Sequence, residues 1–302
     1  MNFDFGMILT RMWNIGWRHK VLWLFQFLPA LTAILALPFL ILFNPGLLEF
    51  LPKPFNRINE ELMIVIFLAV TFIFSIVSVF ISTLAQGGTT LGALKVERGA
   101  ERLAFRELFT ESLPYFWRIF GLYMIFFGGW MVLYLGVMSL VMLSSIFTFG
   151  LGFLCLMPFF LLMLPIMLIG LSVVELAQAA ILAGNMRTLE AITHAWKIFR
   201  ANPLSVLLLM VILYFGMTML SSLVVFPIMF PLMILPVLFV EQVENFERLF
   251  PLLMAVWFLM FILIYTFQSI LMAFFQSAWA VAYLRLTPSV AANVPVVAES
   301  TD

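Results

Sequence analysis

Residues 119–174 read IFGLYMIFFGGWMVLYLGVMSLVMLSSIFTFGLGFLCLMPFFLLMLPIMLIGLSVV, without one Asp, Glu, Lys or Arg. A helix crosses about 30 Å of hydrocarbon with about 20 residues. This run is too long for one crossing and long enough for two. Ser144-Ser145, Gly150 and Gly152 interrupt it, which predicts a turn near residues 144–152.

The same ruler, carried outward, finds four more uncharged stretches: Val21–Leu48, Leu62–Leu94, Ala201–Val240 and Leu249–Leu284. The stretch from Ala201 is also long, but Pro227, Pro231 and Pro236 crowd its second half. Each proline removes a helical hydrogen bond that lipid cannot replace. Residues 227–240 are therefore expected to form a short apolar segment that does not span. Six crossings result, at about 21–43, 63–86, 118–143, 153–178, 204–226 and 252–277. The fold class predicted is an all-α polytopic membrane bundle.

Composition requires such a solution. The 302 residues are 65% hydrophobic and 10% charged, with a mean hydropathy of +1.16. A soluble domain is about 45–50% apolar and about 25% charged, and its wet surface could not hide this excess. Formal net charge is zero, so no basic patch points to a nucleic-acid partner. Residues 1–20 carry Asp4, Arg11, Arg18 and Lys20 among aromatics, unlike a cleavable signal peptide. Cys155 has no second cysteine for a disulfide and reads as a buried small hydrophobe.

Of the 15 Lys and Arg residues, only Lys53, Arg57 and Arg248 fall on one side of the six spans. Positive residues favour the cytoplasm, so both termini are expected inside, in a plasma membrane. The outer segment Asn44–Glu61, rich in proline, leucine and phenylalanine, reads as interfacial. A single membrane domain is expected over 1–288, with a disordered acidic tail over 289–302.

The domain reads as three copies of one unit, about 1–100, 101–186 and 187–288. Each unit is an amphipathic cytoplasmic helix, a span out and a span back. The amphipathic pieces begin near Phe5, Phe105 and Leu189. Phe105, Leu108, Phe109, Ser112 and Phe116 recur at helical spacing opposite Arg106, Glu107, Thr110 and Glu111. Leu189, Ile192, Trp196 and Phe199 form the predicted apolar face of the third. Aromatics mixed with cations suit a helix lying among lipid headgroups.

The returning spans share an ending: Gln86-Gly-Gly, Gln178-Ala-Ala and Gln276-Ser-Ala. Small residues let helices approach closely, and a glutamine amide can bond across the contact. These glutamines predict inner-boundary packing points, with a polar ligand ring as the rival reading. Glu175 is the one acid within a predicted span, and an intramembrane carboxylate raises the question of function. It lies one turn before Gln178. Its depth near the inner interface suggests a snorkelling or locally paired side chain; proton or ligand coupling is the alternative.

No motif of known chemistry stands out. His19 lies in Trp17-Arg-His-Lys20, which reads as a headgroup-facing cationic cluster. His194 falls on the polar side of its helix. Neither has a second ligand at zinc spacing. There is no nucleophile elbow, phosphate-binding loop or metalloprotease helix. Gly87-Gly88 reads as a helix contact. No cofactor or metal is expected.

Three features together, Gly6-Met-Ile-Leu-Thr-Arg-Met-Trp-Asn-Ile-Gly-Trp17, Ala195-Trp-Lys-Ile-Phe-Arg-Ala-Asn-Pro203 and the Gln-small-small endings, resemble a group of bacterial six-span proteins. That group is related to the membrane domain of some glycerophosphodiester phosphodiesterases. The resemblance covers most of the chain and implies a bacterial cytoplasmic membrane. It does not carry the hydrolase activity, which in the fused relatives belongs to a separate soluble domain with no counterpart in these loops. The expected function is a non-enzymatic membrane component that organises lipids or partner proteins, membrane or cytoplasmic. The alternative is a small transporter or lipid-handling permease.

Overall fold

A computed structural model describes residues 4–42, 60–148, 156–239 and 243–287. Helices α1 (Phe5–Arg18), α2 (Val21–Leu42), α3 (Glu60–Glu97) and α4 (Phe105–Ser112) come first. A 3-10 turn at Leu113–Tyr115 leads into α5 (Phe116–Phe147). Then follow α6 (Leu156–Gly184), α7 (Thr188–Ala201), α8 (Pro203–Phe239) and α9 (Val243–Leu286). Among the described residues there is no strand. Six helical stretches are long and apolar enough to cross a membrane. Most of the Asn44–Glu61 loop, Cys155, Gly150, Gly152 and the tail after Pro288 lie outside the described residues.

The long uncharged run does divide, with α5 ending at Phe147 and α6 starting at Leu156. The proline-rich segment is a correction. Helix α8 continues through residues 227, 231 and 236 to Phe239, so the apolar segment expected to break away is the end of the same helix. Each proline forfeits one backbone bond, whereas unwinding would leave a run of peptide groups without partners. Helices α2 and α6 likewise continue past Pro29, Pro38 and Pro165.

Local chemistry sets several helix ends. Asp4 caps α1, its Oδ1 accepting from the Met7 N–H at 3.1 Å, which satisfies one orphan donor of the first turn. After α3, Gly99 adopts φ +103°, a conformation that costs glycine little. After α6, Asn185 takes φ +51°, and its side-chain oxygen accepts from Arg118 Nη1 at 2.6 Å. Both long helices therefore stop, and the chain turns toward the short helices that begin at Phe105 and Thr188.

The helices α3, α6 and α9 touch one another in the middle of the bundle. Each of the other long helices lies against two of them: α2 on α3 and α9, α5 on α6 and α3, α8 on α9 and α6. The short helices pack as α1 on α9, α4 on α3 and α7 on α6. They wrap the ends of the central three, where residues such as Leu176, Ala177, Ala278 and Trp279 are fully buried. Bidentate Arg11–Glu97 contacts at 3.1 and 3.2 Å tie α1 to α3. Lys95 ties α3 to α4 through Glu107 and Glu111, both at 2.7 Å.

In α4, Leu108 and Ser112 are buried while Arg106, Glu107, Thr110 and Glu111 face out. In α7 the residues buried against the bundle are Ala191, Ala195, Ile198 and Phe199, so of the expected apolar face only Phe199 is fully turned to the protein. Two alanines let α7 approach α6 closely, and Leu189 and Trp196 are left exposed. Gly88 is also a contact. A Cβ there would come within 2.4 Å of the Phe25 ring, so the Gly87-Gly88 pair has a packing reason.

Candidate functional site

The central helices meet through small residues, and their polar side chains meet with them. Gln178 on α6 and Gln276 on α9 are both fully buried. Between them lies Thr90 of α3, which accepts from Gln178 Nε2 at 2.8 Å and donates to Gln276 Oε1 at 2.9 Å. Gln178 Nε2 also lies 3.4 Å from Gln276 Oε1. Tyr123 of α5 donates its hydroxyl to Gln178 Oε1. Gln276 Nε2 donates to Glu175 Oε1 at 3.4 Å.

These bonds form one directed chain. Tyr123 donates to Gln178, Gln178 to Thr90, Thr90 to Gln276 and Gln276 to Glu175. Groups in such a chain polarise one another in a low dielectric. Glu175 is the terminal acceptor. Its residue is 8% exposed, and its Oε2 is buried without a hydrogen-bond partner. Of the two arrangements expected from the sequence, snorkelling or local pairing, the side chain takes the second, through Gln276. It is enclosed by helices.

Of the three glutamines expected as packing points, two meet, so the rival ring is only partly formed. Gln178 and Gln276 come together, but Gln86 stands apart and half-buried, on the wall of a cavity. Thr90, one turn further along α3, takes the place Gln86 was expected to hold. A second pair supports it from α2: Gln26 Nε2 donates to Thr89 Oγ1 at 3.0 Å. Gln26, Thr89, Thr90 and Tyr123 were not singled out in the sequence. The Thr89-Thr90 pair, in a stretch otherwise made of small and apolar residues, was the available signal.

Above the chain lies a cavity of about 680 Å³ between α3, α5, α6, α8 and α9. Glu175 and Gln86 belong to its inner part. It extends to Gln268, which donates to Ser221 across α9 and α8. At about 1.5 Å per residue, Glu175 lies about 14 Å from the Gly184 end of α6 and Gln268 about 27 Å from the Leu286 end of α9. The polar positions are thus not confined to one edge. Most of the remaining wall is apolar, including Phe127, Leu171, Met210 and Phe275. Enclosure by several helices, an apolar lining and a few convergent polar groups describe a small-molecule site.

The two histidines lie elsewhere. His19 is buried, which corrects its reading as a headgroup-facing cation. Burial, and then the adjacent Arg18, push its pKa down. His194 is half-buried, its ring against that of Tyr283. Burial, and then Lys197, lower its pKa as well. Among the described residues no group of His, Cys, Asp or Glu side chains is arranged to hold a metal ion. Compared with family models, curated proteins and solved structures, the chain matches none of them.

Proposed function

We propose that this protein is a lipid-handling permease or small transporter, binding an amphiphilic molecule inside its helical bundle. The observation that carries the reading is the cavity of about 680 Å³, with Glu175 and Gln86 in an otherwise mostly apolar wall. A cavity of this size falls within the range of ligand pockets, roughly 300–1,000 Å³. A buried carboxylate is expensive to keep without a task.

The bundle is read as three repeated hairpin units in a bacterial cytoplasmic membrane, with both termini in the cytoplasm. In support, each outgoing helix rests on its own returning helix and on that of the preceding unit, cyclically. The short helices follow the same cycle. They are read as amphipathic, lying in the inner headgroup layer, with exposed Trp13 and Trp17 on α1 and Leu189 on α7. Repeat-built bundles commonly hold transport sites at the interface between units. The relation to the six-span group around the phosphodiesterase membrane domain belongs to the same proposal.

Extraction from native membranes followed by mass spectrometry tests the reading. The expected result is a selective amphiphile retained by the wild type, and lost when Phe127→Trp and Leu171→Trp fill the cavity. Recovery of only bulk lipid, in bulk proportions, would remove it. The organising role remains as the second reading, favoured by the exposed tryptophans on the short helices. It predicts a protein partner retained in the same extraction, undisturbed by filling the cavity.

A further inference from the structure

The cavity has one carboxyl group among its lining residues, Glu175, and no Lys, Arg or His. Its Oε1 accepts from Gln276 Nε2. Its Oε2 is buried and accepts from nothing. Tyr123, Gln178 and Thr90 direct their donors along the chain, and none of them reaches that oxygen. A carboxyl buried in this way holds a charge only beside a counter-charge, and no cationic side chain lines the cavity to supply one.

The lining rules on what kind of cation fits. A hard inorganic ion is held by several converging oxygen ligands, usually more than one of them charged, and this wall offers one carboxyl with scattered hydroxyl and amide groups among apolar side chains. Tyr123, Phe127, Tyr214 and Phe275 add four aromatic rings. Aromatic rings attract organic ammonium groups in desolvated sites. A second, apolar cavity of about 340 Å³ lies against the first, between α5, α6 and α8. Tyr214 lines both. Trp130, Met163 and Met167 belong to the second, which carries no charged residue and suits a hydrocarbon chain.

We infer that the ligand is a cationic amphiphile, its ammonium head at Glu175 and its alkyl chain passing Tyr214 into the apolar cavity. This rests on the proposed intramembrane ligand site and names the chemical class it takes. Tyr214 stands at the junction, so a bulkier or branched chain must displace its ring, and a single unbranched chain is preferred.

The test holds the chain constant and varies the head. Wild-type protein in nanodiscs of zwitterionic lipid is loaded with radiolabelled dodecyltrimethylammonium, and binding to empty nanodiscs is subtracted. Unlabelled dodecyltrimethylammonium, dodecyl maltoside and dodecanoate then compete. The expected result is displacement at least tenfold more effective by the ammonium compound than by the other two. The preference disappears in Glu175→Gln and survives in Glu175→Asp. Equal competition by uncharged and cationic heads would overturn the charge assignment while leaving the amphiphile site standing. Absence of saturable binding by any of the three would overturn both. The wild-type competition requires no variant, so a misfolded Glu175→Gln protein does not blunt the test.

Discussion

Trp279 and Phe72 are both large aromatic side chains on long membrane helices, yet one is fully buried and the other 67% exposed. The contrast runs through the whole bundle. Where α3, α6 and α9 are wrapped by α1, α4 and α7, alanine, glycine, serine and threonine bring helices into contact around Trp279, Tyr283 and the glutamine chain. Toward the other end, Leu68, Phe72, Val132 and Leu161 stand outward. Lipid tails are as apolar as those side chains, so leaving them unpacked carries no hydrophobic penalty. Hydropathy alone cannot distinguish the two regions. Packing does, and the cavity lies where one gives way to the other.

Truncation should separate the regions most strongly. Trp279→Ala removes a buried ring and is expected to cost about 3–5 kcal/mol. Phe72→Ala trades protein surface for lipid and should cost under about 1 kcal/mol. Thermal unfolding in nanodiscs gives both. Equal losses at the two sites would erase the distinction.

Enlargement is the next test. A Cβ on Gly88 would meet the buried Phe25 ring, whereas one on Gly129 would meet nothing within 4 Å. Overpacking at Gly88→Ala should cost about 1–3 kcal/mol. Gly129→Ala should be neutral or gain up to about 1 kcal/mol from helix propensity. Opposite signs are the prediction, read from the same melting curves.

The smallest effect is a pH dependence confined to the packed end. Burial and Arg18 depress the His19 pKa in the folded protein, so folding favours the neutral ring. Stability is full above the unfolded pKa and declines as pH falls through the folded one. The melting temperature should therefore drop from pH 7.5 toward pH 5, and His19→Gln should flatten part of that drop. An unchanged slope in the variant would show that other groups carry the dependence.

The six spans were legible because a hydrocarbon solvent leaves only one backbone solution for long uncharged runs. The end of α8 was not legible. Three prolines outweighed continuity when counted one at a time, though the helix tolerates them together. Gln178 and Gln276 were found from their letters, since a glutamine among small residues has few uses other than a cross-helix bond. Gln86 shares those letters but lies one turn from the meeting point, and Thr90 replaces it. A three-letter match does not encode axial offset between helices. The cavity was out of reach for a related reason. Its wall is drawn from five helices, and nothing in the local pattern of any one of them records a gap between all of them.

The placement of α1 against α9 bears on how the molecule is made. Helix α1 docks on α9, far later in the chain, with Gly16 pressed to the Phe274 ring. Ile8, Met12 and Ile15 have no final seat until the sixth crossing has been threaded. The contact between α1 and α9 closes the ring of units rather than extending it stepwise. A chain lacking α9 would leave the Ile8, Met12 and Ile15 face of α1 open to quality-control proteases, a face the folded protein buries.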